Sequence, residues 1–423
     1  MYKFKLTKLS NGLRILTVPS KESLSFQITV LVNTGADFET KENNGISHFL
    51  EHMSFKGTKK RPSNLAIVEE LDSVGGSYNA FTGGEYTGYY AKVAQQNKEL
   101  ALEIVSDIYL NSQFPEKEVK KEKGVIIEEI NMYKDNSKAY IWDLWEKLLY
   151  GDQAVGRSIL GTKTNIKRFK REDFLKYYES QYRAKSTLVV VSGNFNEKET
   201  LNQIKDYFGD IRSGKGKIKE LVKEKQNKPQ VFIKNKKTDQ THLILGVRGI
   251  NAFDKRRYAL NVMDVIFDGG MSGILFQTIR DKLGVAYYIH STISSSTDCG
   301  FWAVAAGIDN NRLEEVIESV LKEWKKFKTK PVDIKDIKKA KSYITGKLAL
   351  RLENVHNVAR SFAFQELLKK EIETPVQYLR KIKQVTARDI QKVAEDLLKE
   401  KSLNLALIGP YKNKQRLQKL LHV

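Results

Sequence analysis

The sequence predicts an α+β protein of two similar domains, each a mostly antiparallel sheet packed with helices. Three observations lead there. Strand-like and helix-like stretches interleave with hairpins. The order of these elements recurs on either side of a lysine-rich stretch. Each half closes on an apolar strand that ends in glycine and a short turn.

Taken in order, MYKFKLTKLSNGLRILTVPS reads as two short strands around Asn11-Gly12, a dipeptide favoured in tight turns. An alternating strand at 26–32, a helix and a hairpin at 76–93 come next. A helix follows in QQNKELALEIVSDIYL, where Leu100, Leu102, Ile104, Val105 and Ile108 keep mostly helical spacing. STLVVVSGNF (186–195) ends the half. The segment RSGKGKIKELVKEKQNKPQ (212–230) is rich in lysine and poor in large apolar groups, and reads as a linker. Beyond it come a strand at 242–247, a helix at 258–267, a hairpin at 284–308 and the helix NNRLEEVIESVLKEW. SLNLALIGPY (402–411) matches the closing strand of the first half. The expected division is 1–212 for the first domain, 213–229 for the linker and 230–423 for the second. Identity between the halves is low, so the duplication is one of pattern.

At 423 residues, with 41% hydrophobic and 10% aromatic residues, the chain is long enough for two to three cores. No run of roughly eighteen apolar residues occurs, which argues against a transmembrane helix. No apolar stretch with a small-residue cleavage site marks a secretory signal. The single cysteine, Cys299, excludes an internal disulfide and suits a reducing compartment, so a cytoplasmic location is expected. The net charge of +21, from 72 basic and 51 acidic residues, raises the question of nucleic acid. The lysines are spread along helices and connections, as in 217–228 and 322–330, with no aromatic interleaving. A solvated surface accounts for them, and no nucleic-acid partner is expected.

The chemistry concentrates in GISHFLEHMSFKGT. Ile46, Phe49, Leu50 and Met53 make one apolar stripe of a helix, and Gly57 suits its end. His48, Glu51 and His52 fall together on a different face. Histidines at i and i+4 place two imidazoles over one another, close enough to grip one ion, with Glu51 positioned to reach a water on it. The other histidines (His242, His290, His356, His422) lack ligand spacing. Trp142, Trp145 and Tyr182 fall in or beside helical stretches and read as core.

Catalytic zinc usually has three protein ligands and an open fourth position. EVKKEKGVIIEEINMYKD offers the third. On a helical wheel Val119, Ile126, Ile130 and Tyr133 cluster, Glu122 and Glu129 lie together at the border of that cluster, and Glu128 projects away. Carboxylates facing a core need something to neutralise them, and a metal or a ligand histidine would do so. Spacing alone leaves both Glu122 and Glu129 open.

With these residues in view, the sequence resembles the pitrilysin family of metallopeptidases, the inverzincins with an H-x-x-E-H motif. NTGADFETKENNGISHFLEHMSFKGT is similar to the family signature, and GGSYNAFTGGEYTGYYAKV to the hairpin that follows. EKGVIIEEI resembles the segment carrying the distant glutamate, and LFQTIRDKLGVAYY the second-half signature. The resemblance covers essentially the whole chain, at the length of the β-type subunit of mitochondrial processing peptidase and its bacterial relatives.

The resemblance implies Zn²⁺ held by His48, His52 and Glu129, with Glu51 as general base and Glu122 supporting a ligand histidine or the catalytic arrangement. It implies that Asn79 contacts substrate near the scissile bond, and that Ala80, Phe81 and Thr82 lie on the edge strand to which a peptide adds. Arg280 and Tyr287, from the second half, are implied to donate hydrogen bonds to substrate carbonyls and the forming oxyanion. The implied function is a zinc metalloendopeptidase acting on extended or unfolded peptides. Its expected state is a homodimer, with a heterodimer beside a related inactive subunit as the variant. The alternative is a non-catalytic scaffold subunit of a processing-peptidase-like assembly. One departure stands out: FDGGMSGILF has Gly273-Ile274 where relatives often carry Ser-Arg.

Overall fold

The computed structural model describes residues 3–423. It forms two compact units. The first takes the chain up to Asn131, Arg157–Glu220 and Arg351–Ile372; the second takes Met132–Gly156, Leu221–Leu350 and Glu373–Val423. Among the described residues no helix is long and apolar enough to cross a membrane.

The sheet of the first unit comprises β1 (Lys5–Lys8), β2 (Arg14–Pro19), β3 (Ser25–Val32), β4 (Ser77–Thr82), β5 (Thr87–Ala94) and β6 (Thr187–Gly193), in the order β1-β2-β6-β3-β5-β4. All neighbours are antiparallel except β2 and β6. The period of two decides the faces. Phe26, Ile28, Val30 and Val32 enter the larger core with Ala101, Leu102, Val105 and Ile108 of the helix Lys98–Leu110. Leu16, Val18, Leu31, Leu188 and Val190 point the other way, against Val355, Val358, Ala359, Phe362 and Leu367 of the helix Val355–Lys369. With both faces covered, β6 is buried at every position, which is why TLVVVSG reads as a continuous apolar run.

The second unit repeats this plan. Its strands are β7 (Gln230–Asn235), β8 (Gln240–Arg248), β9 (Ala286–Ser295), β10 (Gly300–Asp309) and β11 (Leu403–Gly409), in the order β7-β11-β8-β10-β9 with one parallel pair, β7 and β11. One face carries Leu243, Leu245, Val304 and Leu405 into a core with the helices Arg257–Asp268 and Leu313–Thr329. The other face packs Ile244, Phe301, Ala305 and Ala406 against Ile141, Leu144 and Trp145 of the helix Ser137–Tyr150.

The mostly antiparallel α+β architecture matches the sequence expectation, whereas the division into contiguous halves at residues 212 and 230 needs correction. Residues 132–156 belong to the second unit and 351–372 to the first. The reason is apolar burial: each sheet has a second apolar face, and the helix that covers it comes from the other half of the sequence. The 213–229 stretch has no helix or strand.

Candidate metal centre

The site is built in the first unit on two helices and the edge strand β4. The helix Ile46–Met53 is anchored by Ile46, Phe49, Leu50 and Met53, each at most 2% exposed. Gly45 begins it with φ 97°, and a Cβ there would stand 2.9 Å from Cα of Gly161, so only glycine fits. The capping group comes from outside the helix. Buried Glu39 accepts from the backbone N–H of Gly45 (2.7 Å) and Ser47 (2.8 Å) and from Asn44 Nδ2 (3.0 Å). Burial pushes its carboxyl up to about 7, against the pull of these hydrogen bonds.

The imidazoles of His48 and His52 lie with ring centroids 4.6 Å apart. Glu129, on the helix Glu116–Asp135, brings Oε2 to 3.7 Å from His48 Nε2 and 3.8 Å from His52 Nε2. These separations are too long for hydrogen bonds. They are close to the roughly 3.4 Å between two ligands that each sit ~2.1 Å from one tetrahedral ion. One ligand atom from each of the three residues lies within 4.8 Å of the others. Two imidazole nitrogens and a carboxylate are a donor set that zinc accepts, with a fourth position left over.

Electrostatics suits the same reading. Burial, and then the neighbouring His52, hold the His48 pKa down to about 3, so its ring is neutral and can donate a lone pair. At His52 burial lowers the pKa, but the hydrogen bond it donates to Glu122 and the charges of Glu129 and Glu51 outweigh it and raise the pKa. His52 Nδ1 is 2.9 Å from Glu122 Oε1, leaving Nε2 on the Glu129 side. Glu122 is buried, and its other oxygen lies 2.7 Å from Lys56 Nζ. Burial works to raise the Glu122 pKa, yet the hydrogen bonds from His52 and Lys56 prevail and lower it.

The structure therefore gives different surroundings to the two glutamates that spacing left open. Glu129 faces both imidazoles, and Glu122 stands behind one of them. Glu128 is exposed and accepts from Asn131 Nδ2. Glu51 sits on the His helix and accepts a 2.5 Å hydrogen bond from Thr82 Oγ1. Burial raises the Glu51 pKa; the Thr82 bond and His52 oppose this, and Glu129 adds to it.

Among the described residues β4 pairs only with β5, leaving its other edge free of strand partners. Ala80 and Thr82 share one side of the pleat: Ala80 joins the core and Thr82 meets Glu51. Asn79 and Phe81 share the other, and Asn79 Oδ1 accepts from the Ala80 N–H at 2.8 Å. Arg280 and Tyr287 belong to the second unit. Arg280 lies on a π-helical turn (Phe276–Lys282) with its guanidinium 5.3 Å from the Phe276 ring centre, and Tyr287 is exposed on β9.

Two residues escaped the sequence reading. Lys56 lies in the turn beyond the helix Ile46–Met53, so helical spacing does not place it beside Glu122. Glu39 caps the helix from six residues before Gly45, outside any local capping pattern.

Comparison with known proteins follows the same lines. Residues 14–163 match the family description "Insulinase (Peptidase family M16)" and residues 168–344 "Peptidase M16 inactive domain". The uncharacterized zinc protease YmxG of Bacillus subtilis is 34% identical over 95% of this chain and 97% of its own. The mitochondrial-processing peptidase subunit beta of Dictyostelium discoideum is 26% identical over 97% of this chain and 89% of its own. A Helicobacter pylori protease structure superposes with TM-score 0.87 at 22% identity, covering 97% of this chain and all of that one. A Pseudomonas fluorescens structure titled as a peptidase M16 inactive domain gives TM-score 0.88 at 15% identity, over 98% of this chain and 100% of that one. These two show the fold, and the long match to YmxG carries the assignment: this chain belongs to peptidase family M16.

Proposed function

We propose that this chain is a zinc metalloendopeptidase that hydrolyses peptide bonds in extended or unfolded peptides. The observation that carries the reading is the convergence of His48 Nε2, His52 Nε2 and Glu129 Oε2, with Glu51 on the same helix as both histidines. Zinc held there would supply Lewis acidity, lowering the pKa of a water and polarising the scissile carbonyl. Glu51 takes the proton of the attacking water and returns it to the leaving amine, and its raised pKa suits both halves of that transfer. Thr82 fixes the carboxylate by one oxygen. Glu122 fixes the tautomer and orientation of His52.

The free edge of β4 suits an extended peptide added as a further strand, with Asn79 beside it and Ala80 to Thr82 pairing with it. The Ala80 N–H already donates to Asn79 Oδ1, so a peptide that took this donor would exchange one hydrogen bond for another. Arg280 and Tyr287 enter the proposal as donors to substrate carbonyls and the oxyanion, on the family resemblance alone. A homodimer of active subunits and a cytoplasmic location rest on the sequence grounds given above. The scaffold alternative loses weight because every metal and base residue is retained.

The test is metal analysis and digestion of an extended-peptide library by the wild type and Glu51→Gln. Both proteins should hold about one zinc per chain, and the variant should lose roughly 10²- to 10⁴-fold in turnover. Full endopeptidase activity in Glu51→Gln would overturn the mechanism.

A further inference from the structure

The first unit contains a pocket of 480 Å³ that includes none of the metal-site residues. It lies on the Asn79–Phe81 side of β4, the side of the sheet covered by the helix Val355–Lys369, whereas Thr82 meets Glu51 on the other side. Its walls carry no aspartate or glutamate, while Lys92 and Arg360 both line it. Among the described residues neither cation pairs with a carboxylate.

Arg360 is held by aromatic faces, with its guanidinium 5.8 Å from the Phe81 ring centre and 5.6 Å from that of Phe364. Contacts with ring faces do not consume N–H donors, so the planar fork keeps its capacity for a carboxylate. Phe81 in turn rests over Gly88, where a Cβ would meet its Cζ at 2.3 Å. His356, also in the wall, is occupied: Nε2 lies 2.8 Å from Ser25 Oγ and Nδ1 2.8 Å from Ser192 Oγ. The charge available to a ligand is therefore that of Arg360 and Lys92.

From this arrangement we infer that the pocket is a specificity site for acidic side chains of the peptide, with Arg360 and Lys92 as its determinants. The inference rests on the proposed addition of substrate to β4. A strand paired with that edge points alternate side chains to each side of the sheet. Those on the Thr82 side face the catalytic groups. Those on the Asn79–Phe81 side meet the pocket, where a glutamate or aspartate finds Arg360 beside Phe81, or Lys92 opposite Ser77, and a lysine finds repulsion.

The test uses C-terminally amidated peptides, so that side chains supply the carboxylates, with Glu, Gln or Lys placed in turn at each position around the cleaved bond. Wild-type kcat/KM should favour Glu over Gln by about tenfold at positions of one parity and show no such preference at the other. Arg360→Gln should lower that ratio several-fold, and Arg360→Glu should turn the preference towards Lys. No position-specific preference, or one that Arg360→Glu leaves unchanged, overturns the inference. So does a preference seen only with free C-termini. Fluorescence anisotropy of the same peptides on zinc-loaded Glu51→Gln separates the two readings. Acid-selective binding without hydrolysis by the wild type would sink the peptidase reading alone; hydrolysis without acid selectivity would sink the pocket alone.

Discussion

Glu122 Oε1 stands 2.9 Å from His52 Nδ1, on the ring nitrogen opposite the one that faces Glu129. Its second oxygen is held by Lys56 Nζ at 2.7 Å. A carboxylate behind a ligand histidine fixes the tautomer and makes the ligand more basic. Glu122→Ala should therefore weaken zinc binding by roughly 10- to 100-fold. Lys56→Met should weaken it less and in the same direction. Competition for the metal against a chelator of known affinity measures both. Unchanged affinity in Glu122→Ala would remove Glu122 from the support of the site.

The 2.5 Å bond from Thr82 to Glu51 makes a pH prediction. A donor to the carboxylate favours the charged form, so it opposes the rise that burial imposes on the Glu51 pKa. Thr82→Val removes the donor and should raise that pKa further. The acid limb of kcat/KM, where Glu51 must be ionised to act as base, should then move to higher pH. A limb that stays in place, or moves down, contradicts the role given to Thr82.

Much of this site was legible because its helix carries two separable patterns. The apolar stripe of Ile46, Phe49, Leu50 and Met53 fixes which way the helix faces, and that leaves His48, Glu51 and His52 on one remaining side. On the helix Glu116–Asp135 a wheel puts Glu122 and Glu129 together, because a separation of seven residues gives two positions of similar azimuth. Distinguishing them takes the packing of that helix against the His helix, which is tertiary information. The exchange of helices was invisible for a similar reason. Ser137–Tyr150 and Val355–Lys369 each bury a face against a sheet, and the sequence of a helix does not name the sheet that buries it.

His356 supplies a second pH dependence, this time of stability. Burial, and then Lys92, hold its pKa down to about 4 from the ordinary 6.5. Between those values the unfolded chain binds a proton that the folded one does not. The stability carried by neutral His356 is therefore complete above about 6.5 and is lost as pH falls towards about 4. His356→Gln has no such proton to take up. Urea unfolding of the two proteins at pH 7.5 and 4.5, conditions chosen to bracket roughly that window, should show a larger loss for the wild type. Equal losses would mean that His356 titrates alike folded and unfolded.

The exchanged helix Val355–Lys369 is tied to its sheet by a buried ion pair, Arg14 Nη1 to Glu366 Oε1 at 2.8 Å, with both side chains under 10% exposed. The same nitrogen also reaches the Glu366 carbonyl at 3.0 Å. Removing one member of a buried pair leaves the other charge without compensation, at a cost of about 3–5 kcal/mol. Arg14→Leu should destabilise the protein by that order, and Glu366→Leu similarly. The double variant should recover much of the loss, because two apolar groups on an interface already formed by Leu16, Val18, Val358 and Phe362 bury no charge. A double-mutant cycle in urea gives the coupling directly. Additive losses in the double variant would show that the pair does not act as a unit, and that apolar packing alone holds this helix on the first sheet.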